Sequence, residues 1–346
     1  YTKISINSDI ITEIIQKYHF RQYNKNYTKI SINSDIIIQI IQKYHFRHHI
    51  IRYLEHLAFR YPKMVELITI GYSYEGQPLK MAKISTGRNK DGEKKPVIWI
   101  DAGMHAREWI APAVATYIIS QLVERNTTYM KLLDNSDWMI LPVANPDGYE
   151  YSHTSDRLWR KTRSNHGENQ NEGVDPNRNF GFHWGEEAEG ASSSDPCHET
   201  YAGPYAFSEP ETKAIADYVM ANRERIRMYL TLHSYSQMWL VPWGHTHSKP
   251  SDYSELANVA RKAINAITKV HGTQYELGPA ADMLYPTSGA SDDWAKGEAG
   301  IKYSYTLELR DRETYGFLLP AAQIVPTARE IWAGIRTIAR LVTCNS

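Results

Sequence analysis

Apolar runs that each end in a turn carrying polar, chemistry-bearing residues constrain this chain most. PVIWIDAG (96–103) and DWMILPVANPDG (137–148) read as strands buried on both faces, the second closed by a Pro/Asp/Gly turn. MYLTLHSYSQMWLVPWG (228–244) reads as strand, break, strand, and IKYSYTLELR (301–310) alternates cleanly. In the last run Ile301, Tyr303, Tyr305, Leu307 and Leu309 share one side, and Ser304, Thr306 and Glu308 the other. VELITI (65–70) and LKMAKIS (79–85) add two strands joined by the turn GYSYEGQP. Helical spacing marks 48–62, ending at Pro62, then 108–125, 209–223, 254–272 with Gly272 as its stop, and 326–342 with Pro326 at its start. Ser208-Glu-Pro-Glu211 has the form of a capping box for the third of these. Strands alternating with helices imply an α/β/α sandwich, a central sheet covered on both faces. Ligands of such sheets bind beyond the carboxyl ends of the strands. That rule selects segments 101–108, 144–148, 232–235 and the end of 301–310.

Composition removes several classes of function. The 39 Lys and Arg balance 39 Asp and Glu, so there is no basic excess for nucleic acid. No apolar run reaches the roughly 18 residues that a membrane span needs. With only Cys197 and Cys344, neither a cysteine zinc cluster nor a disulfide framework is possible. A metal site must therefore come from carboxylates and the 14 histidines. At the N-terminus, 1–21 recurs as 27–47 with 19 of 21 positions identical. Two copies cannot stack a solenoid core, so the reading is a duplicated segment 1–47, a pro-segment remnant or an artefact, before a catalytic domain at 48–346. Residue 1 does not open a signal-peptide pattern.

His105 and Glu108 are three apart just past a buried strand, where both side chains can reach one ion. His183 and Glu186 have the same spacing, but inside a Gly- and acid-rich loop. Position at a strand mouth favours the first pair. His233 in LTLHSY, at the end of another buried strand, is the best third ligand, with a core histidine bonded to a neighbour as the alternative. Glu308 is the candidate base beside an open metal site, with an ion pair to an arginine as its alternative. Arg157, Arg160 and Arg178 lie in the long polar stretch 149–205. They could grip a carboxylate or an oxyanion, or be solvated surface charges.

HAREW (105–109), LWRKTR (158–163), GVDPNRNF (173–180), LTLHSYSQ (230–237), SDDW (291–294), GIKYSYTLELRD (300–311) and YGFLLPA (315–321) together resemble the zinc metallocarboxypeptidases. The likeness is to the digestive A and B branch, most to the B type, and runs from about residue 45 to 342. It implies a single-domain α/β/α fold around a mixed, mostly eight-stranded twisted sheet. It implies one Zn2+ held by His105, Glu108 and His233, with Glu308 as general base and Arg160 polarising the scissile carbonyl. Asn177 and Arg178 match the clamp on the substrate's terminal carboxylate, and Arg157 a secondary carboxylate contact. Arg107 and Phe317 match outer subsites, Tyr285 the tyrosine that closes over the bound side chain, and Asp175 the carboxylate orienting a metal-bound histidine.

Within the resemblance, Asp292 is the pocket floor, and an acidic floor goes with C-terminal Lys or Arg. Leu240, Gly244, Ala280 and Leu284 match the walls. Gly244 departs from the serine expected of a B-type pocket and keeps a broad or A-like preference open. Cys197 matches a cysteine whose partner position is Asn171 here, so no disulfide is expected, with Cys344 or otherwise. The resemblance further implies peptide and protein C-termini as substrates, proteinaceous carboxypeptidase inhibitors as partners, a monomer, and secretion into an extracellular, digestive lumen. Asn126-Thr-Thr fits a glycosylation acceptor.

Overall fold

The sheet that these runs build has eight strands. They are β1 (Val65–Tyr72), β2 (Pro78–Ile84), β3 (Val97–Ala102), β4 (Asp137–Leu141), β5 (Ile226–Ser234), β6 (Met238–Val241), β7 (Glu276–Pro279) and β8 (Tyr303–Leu309). A computed structural model describes residues 47–89, 91–166, 173–186 and 191–343. The expectations placed on residues 1–46, Asn171 and Cys344 lie outside the described residues. Spatial order is β1-β2-β4-β3-β5-β8-β6-β7. β4, β3, β5 and β8 run parallel, so their carboxyl ends open on one edge. β1, β2 and β6 pair antiparallel to their neighbours, and β7 is parallel to β6, which makes the sheet mixed as expected.

Both faces are covered because the strands are apolar on both sides. On one face Ile98, Ile100, Leu230, Leu232, Tyr305 and Leu307 pack under α1 (Arg47–Arg60), α2 (Ile110–Glu124) and two later helices. On the other, Val97, Trp99, Met139, Leu141 and Tyr229 form a second, smaller core. α2 is buried from Ile110 to Val123, which explains its apolar sequence on every side. α3 (Asn126–Asn135) follows directly, and Asn126 Nδ2 donates to Val123 O at 2.8 Å.

The turn expected after β4 is instead α4 (Pro146–Thr154). Asn145 caps it by accepting Gly148 N at 2.9 Å, and Pro146 takes the first position. Asn-Pro-Asp-Gly carries turn residues, but the same residues also make an N-cap followed by a first-turn proline. α5 (Pro210–Asn222) starts where expected, without the capping box. Ser208 Oγ donates to Glu209 Oε1, and Asn179 Oδ1 accepts Glu209 N and Thr212 Oγ1. Glu211 turns away to accept Tyr74 N at 3.0 Å. Tertiary partners have displaced the local motif.

α6 (Tyr253–His271) ends at Gly272 in the left-handed region at φ +79, as its sequence implies. The short helices α7 (Ala280–Met283) and α8 (Ser291–Gly297) follow. α9 (Ile324–Thr343) closes the fold against α6 and α2. Cys197 is exposed and free.

Candidate active site

The parallel strands deliver three residues to one point. β3 ends at Ala102 and leads within three residues to His105, and α2 begins just after Glu108. His233 is the second-last residue of β5, in register with Glu308 of β8. His105 Nδ1 lies 2.8 Å from Glu108 Oε1, and His233 Nδ1 lies 2.9 Å from Glu108 Oε2. The two Nδ1 atoms are 3.1 Å apart. Among the described residues this is the one group of three or more His, Cys, Asp or Glu side chains whose ligand atoms all fall within 4.8 Å of one another. All three residues are buried.

Two imidazole nitrogens and both oxygens of one carboxylate converge there, a nitrogen and oxygen donor set that fits zinc. Burial would raise the Glu108 carboxyl, but His105 and His233 outweigh it and hold it well below the usual carboxylate range. Burial also opposes charge on His233, yet the Glu108 carboxylate raises that imidazole to about 9. His105 is pushed down by burial and by the Arg160 guanidinium.

Asp175 ties several of the predicted residues together. Its Oδ1 lies 3.0 Å from His105 Nε2 and also accepts Asn177 N at 3.0 Å. Its Oδ2 accepts Arg160 Nε at 2.9 Å and lies 2.8 Å from Arg160 NH2. Arg160 and His105 overcome burial and hold Asp175 well below its ordinary range. Arg160 is thereby fixed with its charge beside the metal group. Glu308 stands partly exposed at the end of β8, and burial followed by the Glu108 charge pushes its carboxyl up to about 8.

Arg178 is buried in the 3-10 turn Pro176–Arg178. Its NH2 is 3.4 Å from Tyr285 Oη, and its Nε has no partner. Asn177 Oδ1 accepts Ser291 N at 2.9 Å, which anchors the turn to α8. Arg157 stacks over Trp109 at 3.6 Å and donates to Arg107 O and Phe317 O. Arg107 makes a two-pronged pair with Glu199, at 2.9 and 3.1 Å, and covers the Phe317 ring at 4.3 Å. Tyr285 is 45% exposed.

Asp292 is buried in the first turn of α8, and its Oδ2 has no hydrogen-bond partner. Burial and the adjacent Asp293 push it up to about 7. Leu240 is buried on β6 opposite Thr306 of β8. At Gly244 a Cβ would meet Thr287 Oγ1 at 2.7 Å, so the threonine takes the space a serine would need. Ala280 is buried, whereas Leu284 is 43% exposed. His183 and Glu186 form a partly exposed pair at 2.6 Å, apart from the metal group.

Sequence reasoning missed Asp293, His245, Thr287 and Glu199. Asp293 adjoins Asp292, and His245 adjoins Gly244, so adjacency to a wall or floor residue was the available signal.

The model of the zinc carboxypeptidase family matches residues 50–334, and the chain belongs to that family. It is a metallocarboxypeptidase, a peptide hydrolase. The chain is 48% identical over 291 residues to carboxypeptidase B of Astacus astacus, covering 84% of this chain and 94% of the relative. It is 44% identical over 292 residues to carboxypeptidase A2 of Rattus norvegicus, covering 84% and 68%. Its fold superposes with a TM-score of 0.81, at 42% identity, on bovine thrombin-activatable fibrinolysis inhibitor in complex with tick carboxypeptidase inhibitor, covering 88% of this chain and 99% of that one.

Proposed function

We propose that this enzyme removes Lys or Arg from the C-termini of peptides and proteins. The observation that carries this reading is Asp292, a buried carboxylate with an unpartnered oxygen at the place where the family's pocket floor falls. An ammonium or guanidinium is its natural complement. A second reading, release of aromatic or aliphatic residues, draws on the small side chains Gly244 and Ala280 and on the similarity to an A-type relative.

The assigned roles follow from chemistry. His105, Glu108 and His233 would hold one zinc ion. When bound, zinc supplies a Lewis acid that lowers the pKa of water and polarises a carbonyl. Glu308 takes the proton from the attacking water and returns it to the leaving amine. Arg160, fixed by Asp175, faces the developing oxyanion. Arg178 and Asn177 grip the terminal carboxylate, and Tyr285 closes over the side chain. Arg157, Arg107 and Phe317 guide the chain on its way in. Grip and closure contribute orientation rather than chemistry.

The family match over 50–334 supports reading 48–346 as the catalytic unit and 1–47 as a segment outside it. Secretion, a monomeric state and sensitivity to proteinaceous inhibitors complete the proposal. The inhibitor complex of the bovine relative supports the last. No helix among the described residues is long and apolar enough to cross a membrane.

The test compares release of Arg and Phe from matched blocked dipeptides, with and without a zinc chelator. Chelator-sensitive release of Arg at least about tenfold above Phe supports the proposal. Comparable or faster release of Phe leaves the enzyme and removes the Lys/Arg assignment.

A further inference from the structure

Behind the pocket floor lies a second buried carboxylate with a histidine partner. Asp293, 1% exposed along its side chain, accepts Gly244 N at 2.9 and 3.0 Å through its two oxygens, and His245 N at 2.9 Å. The same Oδ2 lies 2.7 Å from His245 Nδ1. Among the described residues, His245 is the one basic side chain within ion-pair distance of Asp293. Its ring is held in place on three sides. It stacks on His183 at 3.8 Å, and Phe182 and Trp243 meet it edge-on at 5.4 and 5.2 Å.

We propose that His245 is a specificity-setting positioning residue, which neutralises Asp293 and so lets Asp292 carry the charge that selects a Lys or Arg side chain. The inference rests on the reading of Asp292 as the pocket floor. Two neighbouring buried carboxylates resist ionising together, and a cation on one relieves the other. Asp292 is faced by Asp293 on its own helix, by Thr306 and Glu308 on β8, and by Tyr229 on β5. None of these can supply a positive charge. On the far side, His183 is paired with Glu186, which leaves His245 as the basic group that faces Asp293. The same carboxylate fixes the backbone of Gly244, which couples the wall to the floor. Without His245, Asp293 keeps its charge through the backbone N–H groups, and Asp292 is the carboxyl that stays protonated.

His245→Gln tests this, with kcat/KM for C-terminal Arg and Phe dipeptides measured across about pH 6 to 9. The ratio of Arg to Phe in the unaltered enzyme should climb as Asp292 ionises. In the variant the ratio should fall about tenfold near pH 7, mostly through KM for Arg, and its midpoint should move up by about one pH unit. Release of Phe should change less than about twofold, which shows an intact fold and catalytic centre. An equal loss for both substrates, or an unchanged ratio and midpoint, overturns the proposal.

Absence of any Arg preference in the unaltered enzyme defeats the floor assignment and with it the inference, whereas an Arg preference that the variant keeps defeats the inference alone. If the variant does not fold, NMR of the His245 ring in the unaltered enzyme decides. Binding free arginine should raise the pH at which the ring titrates, because a proton on His245 and a cation at Asp292 favour one another and linkage between the two sites is reciprocal. No movement of that titration overturns the proposal.

Discussion

Glu308 stands on the polar face of its strand: Tyr303, Tyr305, Leu307 and Leu309 enter the core, while Glu308 is partly exposed on the other side. No ion pair holds it among the described residues, so the alternative of a structural pair with an arginine loses its basis; Arg310 pairs with Glu330 at 2.6 Å instead. Glu308→Gln keeps the shape and removes the proton acceptor. We expect kcat to drop about 10²–10⁴-fold while zinc stoichiometry, measured by metal analysis, stays at one per chain. A matching loss of zinc would make Glu308 a ligand rather than a base.

At this scale the metal group was legible, because a strand end placed His105 and Glu108 and a second strand end placed His233. Spacing alone was ambiguous, and His183 with Glu186 shows why: the same spacing in a loop yields a surface pair. Asp293 and His245 adjoin residues that were legible, but their pairing was not. Their bond joins residues 48 apart, and nothing local to either signals the other.

The elements were read from periodicity, and periodicity served best where an element packs through its own pattern. β8 alternates as its sequence does, and α6 stops at Gly272. The misreadings fall where the same residues serve a turn or a helix start, as at α4, and where tertiary partners decide, as at the start of α5. There Glu211, instead of closing a capping box, is buried with one oxygen on Tyr74 N and the other unpartnered.

Burial comes first among the causes that push its carboxyl up to about 8, with the Glu209 and Asp147 charges adding to it. The folded-state value thus exceeds the ordinary 4.5. The resulting stability is complete below about pH 4.5 and is lost as pH rises through about 8. Between about pH 7 and 9 the group should remove roughly 1.4 kcal/mol. Glu211→Gln keeps an acceptor for Tyr74 N and cannot ionise. Its melting temperature should fall less over that interval than that of the unaltered protein, by about 2–4 °C. Parallel pH profiles would show that Glu211 does not titrate there.

Considered whole, the molecule places its reactive edge at the carboxyl ends of parallel strands that two cores hold from opposite faces. β3, β5 and β8 are held from one side by α2, α6 and α9, and from the other by the Trp99 and Trp294 core. The loop carrying Asp175, Asn177 and Arg178 is tied to that edge through His105 and Ser291. The metal group therefore exists only when the segments that carry His105, Glu108 and His233 have come together. An ion that binds this arrangement and not the unfolded chain stabilises the whole fold by mass action. At free zinc about a thousandfold above its dissociation constant, the gain is about 4 kcal/mol.

Stripping zinc should lower the melting temperature by several degrees and leave far-UV circular dichroism unchanged at 25 °C, because both cores are complete without the ion. Returning zinc should raise the midpoint in proportion to the logarithm of its free concentration. His233→Ala should abolish that dependence. If the variant retains the full zinc-dependent rise, the stabilising ion binds somewhere other than the meeting point of β3 and β5.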